Sequence, residues 1–291
     1  MSMLQAIMMG ILQGLTEFLP VSSSGHLAIF QYIFNINTDT GLLFDVLLHL
    51  GTLVAVCIVY WRDFSRVVVA FVEMVIDLFY NLFVLISGGA KGQRSYRRII
   101  SNAYRKFVVM IIVTTIPTGI IGLLLDDCIT KASQGLLVPG ICLVITAIIL
   151  LISDMKKPGN KKVKKSTYGD AAVVGVAQGF ATLPGLSRSG TTITACLLLG
   201  FDRGFAVKYS FIASIPAILG ANILELVRTD SAALASANIP AYIVGAIVAG
   251  IVGYICIKVM IRIVKSNKFH YFAYYCAAVG IIAVLVYFIH G

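Results

Sequence analysis

Four side chains of this sequence could together carry out phosphoryl transfer. They are the carboxylate of Glu17, the hydroxyl of Ser23, the imidazole of His26 and the guanidinium of Arg188. A serine attacks phosphorus when a base lies within reach, and His26 follows Ser23 by three residues, close enough to meet it around a tight turn. Arg188 offers a planar donor fork for phosphate oxygens, and Glu17 can accept a proton or hold a divalent cation. The pattern indicates a catalytic site for phosphate chemistry.

Polar residues next to these four could complete the site. Gln13 lies four residues before Glu17, so both side chains share one face of a helix and could be metal ligands. Asp45 and His49 could also enter the site, although helix packing explains them equally well. Serine hydroxyls and free backbone N–H groups at helix starts attract phosphate, and the candidates for that role are Ser22, Ser24, Gly25, Ser187, Ser189 and Gly190.

The segments that carry these residues are two copies of one motif. Gln13 to His26 recurs as Gln178 to Thr191, 165 residues later. Each copy contains Gln-Gly, then Leu-Pro, then a turn rich in serine and glycine. The copies differ in chemistry, because Thr182 and Thr191 stand where the first copy has its acid and its base, while Arg188 belongs to the second copy. The acid and the base therefore come from one copy and the fixed cation from the other.

The composition predicts an integral membrane protein. Hydrophobic residues make up 59% of the chain and charged residues 12%, and the mean hydropathy is +0.94, which leaves little polar surface for water. The net charge of +10 comes from short loops beside apolar runs, so it indicates membrane orientation and anionic lipid rather than nucleic acid. The six cysteines are expected to be packing residues, and no cleavable leader is expected before the first motif.

Six stretches are long and apolar enough to cross a bilayer, which needs about 20 apolar residues per helix. A further apolar run, Val67 to Ile86, carries Glu73, Asp77 and Asn81 at a spacing of four, and this pattern is typical of a helix lying at the interface. The stretches predicted to cross are Leu42 to Trp61, Phe107 to Leu125, Leu136 to Ser153, Ala206 to Val227, Ile239 to Ile261 and Tyr271 to Ile289.

The distribution of basic residues supports this topology. If Val67 to Ile86 does not cross, every strongly basic segment lies on one side, which the positive-inside rule makes cytoplasmic. Both termini are then outside the cytoplasm. The basic segments are Arg62 to Lys106, Lys156 to Lys165 and Lys258 to Lys268, whereas the opposite loops, Asp126 to Ser133 and Thr229 to Asn238, have hardly any cations.

Each half is predicted to cross the membrane three times. Because three is an odd number, the second half has the opposite orientation in the membrane to the first. The prediction is a single all-α polytopic membrane domain over residues 1–291, with a first repeat at 1–153 and a second, inverted repeat at 169–291. The first repeat carries a cytoplasmic interfacial insertion at about 62–105. Met1 to Leu19 and Ala171 to Leu183 are short helices that end at Leu-Pro, so they are predicted to be re-entrant hairpins meeting near the midplane.

The string Gln13 to His26, together with Pro184 to Gly190, closely resembles the undecaprenyl pyrophosphate phosphatase (bacitracin-resistance) family, and the resemblance covers essentially the whole chain. It implies removal of one phosphate from undecaprenyl pyrophosphate at the extracytoplasmic side of the bacterial plasma membrane, which regenerates the lipid carrier for cell-wall synthesis. It also implies a divalent cation, Mg²⁺ or Ca²⁺. The core residues that it implies are Glu17, Ser23, His26 and Arg188, supported by Gln13, Ser22, Ser24 and Ser187.

Several alternatives stay open. The first acidic position of the family accepts Glu or Gln and is Gln13 here, so Glu17 is the one carboxylate of the motif. Ser23 with His26 as its base is the favoured nucleophile, and phosphorylation of His26 itself is the alternative. The related phosphatidic acid phosphatase pattern fails, because it requires a histidine at the position of Thr194. A flippase for the lipid phosphate would use the same inverted-repeat pocket without a nucleophile. The expected partners are a polyprenyl pyrophosphate substrate and membrane lipid, and a second copy of the chain is an open option.

Overall fold

The protein is described by a computed structural model over residues 1–33, 41–87, 95–133, 135–157, 159–228, 238–266 and 268–290. Lys91, Arg94 and the expected loop at 229–237 lie outside the described residues. The described residues form twelve helices: α1 Met3–Phe18, α2 Ser23–Ile33, α3 Gly41–Val59, α4 Trp61–Ile86, α5 Ala103–Leu124, α6 Asp126–Ser133, α7 Leu137–Met155, α8 Tyr168–Phe180, α9 Arg188–Leu198, α10 Arg203–Arg228, α11 Ile239–Ser266 and α12 His270–His290.

Six of these helices are long and apolar enough to cross a membrane, as expected for an all-α polytopic protein: α4, α5, α7, α10, α11 and α12. This set differs from the prediction in one member. The helix α4 belongs to it by length and composition, whereas the apolar part of α3, Leu43–Val59, falls among the shorter helices. Composition alone therefore does not separate α4 from the spanning helices.

Both copies of the motif form a short helix, a break and a second short helix. The helices α1, α2, α8 and α9 contain 16, 11, 13 and 11 residues, and all are shorter than the roughly 20 residues that a span needs. The first break is caused by Pro20, because the residue before a proline avoids helical backbone; Leu19 is accordingly extended, with φ −70° and ψ 145°. The helix α9 begins and ends 165 residues after α2.

The first helix of each motif copy, α1 or α8, packs against a long helix of the other half through glycines. A side-chain carbon at Gly14 of α1 would lie 2.8 Å from the carbonyl oxygen of Ala249 in α11. Gly179, the equivalent position of α8, would place one 2.7 Å from Cβ of Ile121 in α5. Small residues allow the close backbone approach that drives helix association in membranes. The halves are therefore interlocked rather than merely adjacent.

Lys161, Arg203 and Lys208 lie at one end of the bundle, where the backbone of Lys161 bonds that of Gly200 and Asp202 just before α10. Lys208 at the start of α10 pairs with Asp63 of α4 at 2.8 Å, and Arg203 donates to the carbonyl of Val264 near the end of α11 at 3.3 Å. Lys161 pairs with Asp170 at the start of α8 at 3.3 Å. The starts of α4, α8 and α10 and the end of α11 thus share one level.

The polar side chains along one face of α4 form ion pairs and hydrogen bonds with two arginines. Asp77 accepts from Arg105 of α5 at 2.6 Å and from Arg97 at 3.1 Å. Glu73 accepts from Arg105 at 3.1 Å, and Asn81 pairs with the backbone of Arg97 in both directions at 2.8 Å. The spacing of four that marks these residues in the sequence therefore fixes α4 to the start of α5.

The glycine contacts predict a stability difference. In Gly14→Ala, the added carbon would meet the backbone of α11, and overpacking of this kind costs about 1–3 kcal/mol. Gly119→Ala is the matched control, because nothing lies within 4 Å of the added carbon there. We expect a lower thermal midpoint in detergent for Gly14→Ala and an unchanged or slightly higher one for Gly119→Ala. Equal midpoints would show that the α1–α11 contact is not tight.

Candidate active site

The turns that separate the two short helices of each motif copy contact each other, and they do so at equivalent positions. A side-chain carbon at Gly25 would lie 2.8 Å from Cα of Gly185, and one at Gly190 would lie 3.2 Å from Cβ of Pro20. Gly185 and Gly190 are the equivalents of Pro20 and Gly25 at the 165-residue offset. Equivalent positions of the two turns therefore make equivalent contacts, as they do across a two-fold axis.

Each turn is closed by a serine at the equivalent position. The hydroxyl of Ser22 accepts from the backbone N–H of Gly25 at 3.3 Å, and that of Ser187 accepts from Gly190 at 3.1 Å. These bonds cap the starts of α2 and α9 and satisfy donors that helix starts leave unpaired. Ser24 and Ser189 lie 3.4 Å from the capping serines. All six expected phosphate-binding residues therefore lie where the two turns meet.

The first turn contains a strained residue. Ser22 has φ +70°, a left-handed conformation that costs a non-glycine residue roughly 1–2 kcal/mol. Its carbonyl accepts from Nδ1 of His26 at 2.7 Å. In the second turn the left-handed residue is Gly185, with φ +93°, where a missing Cβ removes the cost. The strain is thus confined to the turn that carries the histidine.

A helix from outside the motif holds each turn. Thr146 of α7 donates to the carbonyl of Gly185 at 3.0 Å and accepts from the N–H of Ser187 at 3.0 Å. Cys276 of α12 donates to the carbonyl of Pro20 at 3.7 Å. Pro20 and Gly185 are equivalent positions, so α12 and α7 each hydrogen-bond the same carbonyl position, one in each turn.

Glu17 is the centre of the site. Its Oε1 lies 2.5 Å from Nη2 of Arg188, while its Oε2 accepts from Ser23 Oγ at 2.6 Å and from Gln13 Nε2 at 3.1 Å. The carboxylate is 6% exposed and the guanidinium 16%, so this ion pair is withdrawn from water. The structure brings the acid of one copy and the cation of the other into direct contact.

His26 lies beside this group but is not bonded to Ser23. Its Nδ1 donates to the carbonyl of Ser22, so Nε2 of the neutral ring is an acceptor, and the hydroxyl of Tyr275 donates to it at 2.8 Å. The two rings are nearly parallel, at 7°. The expectation that His26 would reach the Ser23 hydroxyl is therefore wrong for this structure: both residues lie in the first turn of α2, and His26 is turned back onto Ser22. The hydrogen-bond partner of Ser23 is Glu17.

Two residues outside the copied motifs also reach the site. Tyr275 is 249 residues from His26, and nothing in the sequence connects the two. His49 is the other, and its Nε2 lies 3.8 Å from Glu17 Oε2. Asp45, its companion, accepts from Gln31 at 3.4 Å. The helix α3 therefore brings His49 to the carboxylate.

The second copy has no acid or base at the equivalent positions. Thr182, in the place of Glu17, donates back to the carbonyl of Gly179 at 2.7 Å. Gln178, in the place of Gln13, donates to Thr118 of α5 at 3.2 Å. These bonds tie α8 to itself and to its neighbour, so the second copy supports the site and supplies Arg188.

Two buried polar atoms beside Glu17 have no hydrogen-bond partner in the part of the chain that the structure describes: Arg188 Nη1 and Gln13 Oε1. Unpaired buried groups are costly and point to a ligand. A donor on arginine suits an anion, and an amide oxygen suits a hard cation. The carboxylate of Glu17 and the amide oxygen of Gln13 are hard oxygen donors, and Mg²⁺ accepts a set this small when phosphate oxygens complete its shell; the described residues contain no cluster of three histidine, cysteine or acidic side chains.

The fold and the site define a multi-pass helical membrane protein with a charged centre enclosed between two broken turns. The family model described as "Bacitracin resistance protein BacA" matches residues 6–282, and the chain belongs to this family. Curated relatives named "Undecaprenyl-diphosphatase" are 40% identical in Alkaliphilus metalliredigens, over 98% of both chains, and 42% identical in Treponema denticola, over 97% of this chain and 96% of the relative. One in Methanosphaera stadtmanae is 39% identical over 98% of both chains.

The buried ion pair predicts a large stability effect. Arg188→Ala leaves the Glu17 carboxylate buried without its cation, and breaking such a pair costs about 3–5 kcal/mol. Replacing both partners, Glu17→Gln with Arg188→Met, should recover much of the thermal midpoint. Arg228→Ala is the control, because its pair with Asp126 is 46% and 36% exposed and such pairs contribute about 0–1 kcal/mol. Equal losses for Arg188→Ala and Arg228→Ala would contradict the assignment.

The Tyr275 contact predicts a spectroscopic change at His26. In ¹⁵N-histidine spectra of the purified protein, neutral His26 should carry its proton on Nδ1. Tyr275→Phe removes the donor to Nε2, so the Nε2 resonance should shift and the ring should become more mobile, while Tyr274→Phe, on a side chain that is 64% exposed, should leave both unchanged. An identical His26 spectrum in Tyr275→Phe would rule out a positioning role for Tyr275.

Proposed function

We propose that this protein is an integral membrane phosphatase that hydrolyses undecaprenyl pyrophosphate to undecaprenyl phosphate and phosphate. The observation that carries the proposal is the hydrogen bond from Ser23 to the buried carboxylate of Glu17, with Arg188 on the other oxygen of that carboxylate. The name of the curated relatives, which match nearly the whole chain, points to the same reaction. The reaction would recycle the lipid carrier for cell-wall synthesis and so confer resistance to bacitracin.

The first half of the reaction forms a phosphoserine. Arg188 Nη1 and the backbone N–H groups at the starts of α2 and α9 bind the pyrophosphate oxygens. Ser23 Oγ attacks the terminal phosphorus and its proton passes to Glu17 Oε2. The bond between that phosphorus and the bridging oxygen breaks, and undecaprenyl phosphate leaves with its new charge stabilised by Arg188. Glu17 replaces His26 as the base for Ser23, because Glu17 is the group within reach.

The second half of the reaction releases phosphate. Water loses a proton to Nε2 of His26 and attacks the phosphorus of phosphoserine. Ser23 Oγ departs and recovers its proton from Glu17, while phosphate takes the proton from His26 as it leaves. The Ser22 carbonyl keeps the proton on Nδ1, so Nε2 is the basic nitrogen, and the attacking water would replace the Tyr275 hydroxyl as its partner. Phosphorylation of His26 at Nε2 is the alternative that the experiment below separates.

Glu17 and Gln13 would hold a divalent cation, Mg²⁺ or Ca²⁺. When bound, the cation neutralises pyrophosphate charge and orients its oxygens. Gln13 fits this role because its Oε1 is buried and has no hydrogen-bond partner within the described ranges.

The repeats, residues 1–153 and 169–291, are proposed to have inverted topology. The equal lengths and spacing of α2 and α9 support this, as do the reciprocal turn contacts. The helix α4 would lie at the cytoplasmic interface: Asp63 and Asp77 of α4 both reach the start of α5, at Tyr104 and Arg105. Fourteen residues of helix extend about 21 Å, so α4 runs across that end rather than along α5.

The site is proposed to open to the extracytoplasmic side of the bacterial plasma membrane. The basic end is cytoplasmic by the positive-inside rule. His49 contacts Glu17 from near the middle of α3. Ten residues of helix, about 15 Å, separate it from Val59, where α3 ends next to the basic end, so the site would lie well away from that end. Moving a polyprenyl tail out of the bilayer costs about 0.8 kcal/mol per CH₂, so the substrate would enter sideways from lipid.

The direct test is phosphate release from undecaprenyl pyrophosphate by purified protein in detergent, with Mg²⁺ or with chelator. Ser23→Ala, Glu17→Gln and His26→Ala should each lower the rate by about 10²–10⁴, whereas Ser166→Ala and His270→Ala, at the basic end, should not. A trapped intermediate stable to acid would be phosphoserine, and one labile to acid would be phosphohistidine. No release by folded wild-type protein would favour the flippase, and transport of the lipid phosphate in vesicles would then be measured.

A further inference from the structure

His49 is held in one tautomer with its second nitrogen facing the site. Its Nδ1 lies 2.7 Å from the carbonyl oxygen of Asp45, one helical turn earlier. A carbonyl only accepts, so Nδ1 carries the proton and Nε2 of the neutral ring has a free lone pair. Fixing the tautomer through a backbone carbonyl is how metal-binding histidines are commonly oriented.

The free lone pair faces another acceptor. Nε2 of His49 lies 3.8 Å from Glu17 Oε2, which is beyond hydrogen-bond distance. Gln13, whose amide nitrogen bonds the same carboxylate oxygen, has its own Oε1 buried, with no hydrogen-bond partner among the residues that the structure describes. Three acceptor atoms on two helices, α1 and α3, thus lie around one region, and a cation is the species that would bind them together.

The separation of the acceptors agrees with a shared ion. Metal bonds of about 2.0–2.2 Å to nitrogen and oxygen leave the ligand atoms of one ion roughly 3–4 Å apart. Arg188 already occupies the other oxygen of Glu17, so Oε2 is the atom that an ion would use. Ser23 also bonds Oε2, which would bring the ion next to the nucleophile.

We propose that His49 Nε2 is a ligand of the divalent cation together with Glu17 Oε2 and Gln13 Oε1. This inference rests on the proposed function only in assigning the cation to pyrophosphate hydrolysis. His49, from outside the motif, supplies a second strong ligand next to the single carboxylate of the motif. Imidazole favours transition metals over Ca²⁺, so the site should bind Mn²⁺ or Zn²⁺ more tightly than Ca²⁺.

The test is Mn²⁺ binding to metal-free protein in the presence of methylene diphosphonate, followed by pulsed electron paramagnetic resonance. Bound Mn²⁺ should show coupling to a histidine nitrogen in the wild type and in His270→Ala, whose ring pairs with Asp154 at the end of α7. The coupling should vanish in His49→Ala, with Mn²⁺ affinity lowered about tenfold or more. His49→Gln keeps an oxygen ligand, so it should lose the coupling but less of the affinity.

Two results would overturn the proposal: Mn²⁺ that shows no nitrogen coupling or does not bind in the wild type, or coupling that survives in a folded His49→Ala or His49→Gln protein. Phosphate release measured on the same samples separates this failure from that of the proposed function. Release by wild type without nitrogen coupling would reject His49 alone. Coupling without release would keep the metal site and reject the phosphatase.

Discussion

The ion pair between Glu17 and Arg188 is the interaction on which the rest of the site depends. It is the one place in the described residues where the acid of the first motif copy touches the cation of the second. A buried charge without its partner is strongly unfavourable, so either copy alone would leave a charge exposed to an apolar surrounding. The pair therefore joins the two halves energetically and aligns Ser23, since the oxygen that Arg188 leaves free is the one that accepts from the serine.

Such a pair requires the backbones of the two broken turns to approach each other closely. Glycine provides this at each contact: Gly25 lies against Gly185, and Gly14 and Gly179 let α1 and α8 sit on α11 and α5. Irregular backbone inside a membrane must have its polar groups satisfied by protein, and Thr146 and Cys276 bond the turns from α7 and α12. The long helices thus provide hydrogen-bond partners for the backbone of the two turns, which stabilises the broken helices in an apolar environment.

Much of this was readable in the sequence. The duplicated motif, the helical membrane fold and the family all followed from local strings. The Leu-Pro break placed the end of α1 within one residue, whereas α8 ends at Phe180, three residues before the predicted Leu183. Other features came only from tertiary structure. Nothing near His26 indicates Tyr275, and the spacing of Ser23 and His26 suggested a bond that the helix α2 prevents, because His26 turns back to the carbonyl of Ser22. The membrane role of α4 was also not decided by pattern, since its polar stripe interrupts a segment that is otherwise apolar enough to span.

The two copies have kept one scaffold and divided the chemistry. The serine caps, the glycine contacts and the outside supports are the same in both turns, but strain at Ser22 and the acid and base belong to the first, whereas the second has glycine at its left-handed position and threonines at the others. A fully symmetric site would place two carboxylates or two arginines face to face, and like charges at short range in a buried site repel strongly. The asymmetry avoids this repulsion, because the acid comes from one copy and the cation from the other, and only one of the copies holds the nucleophile.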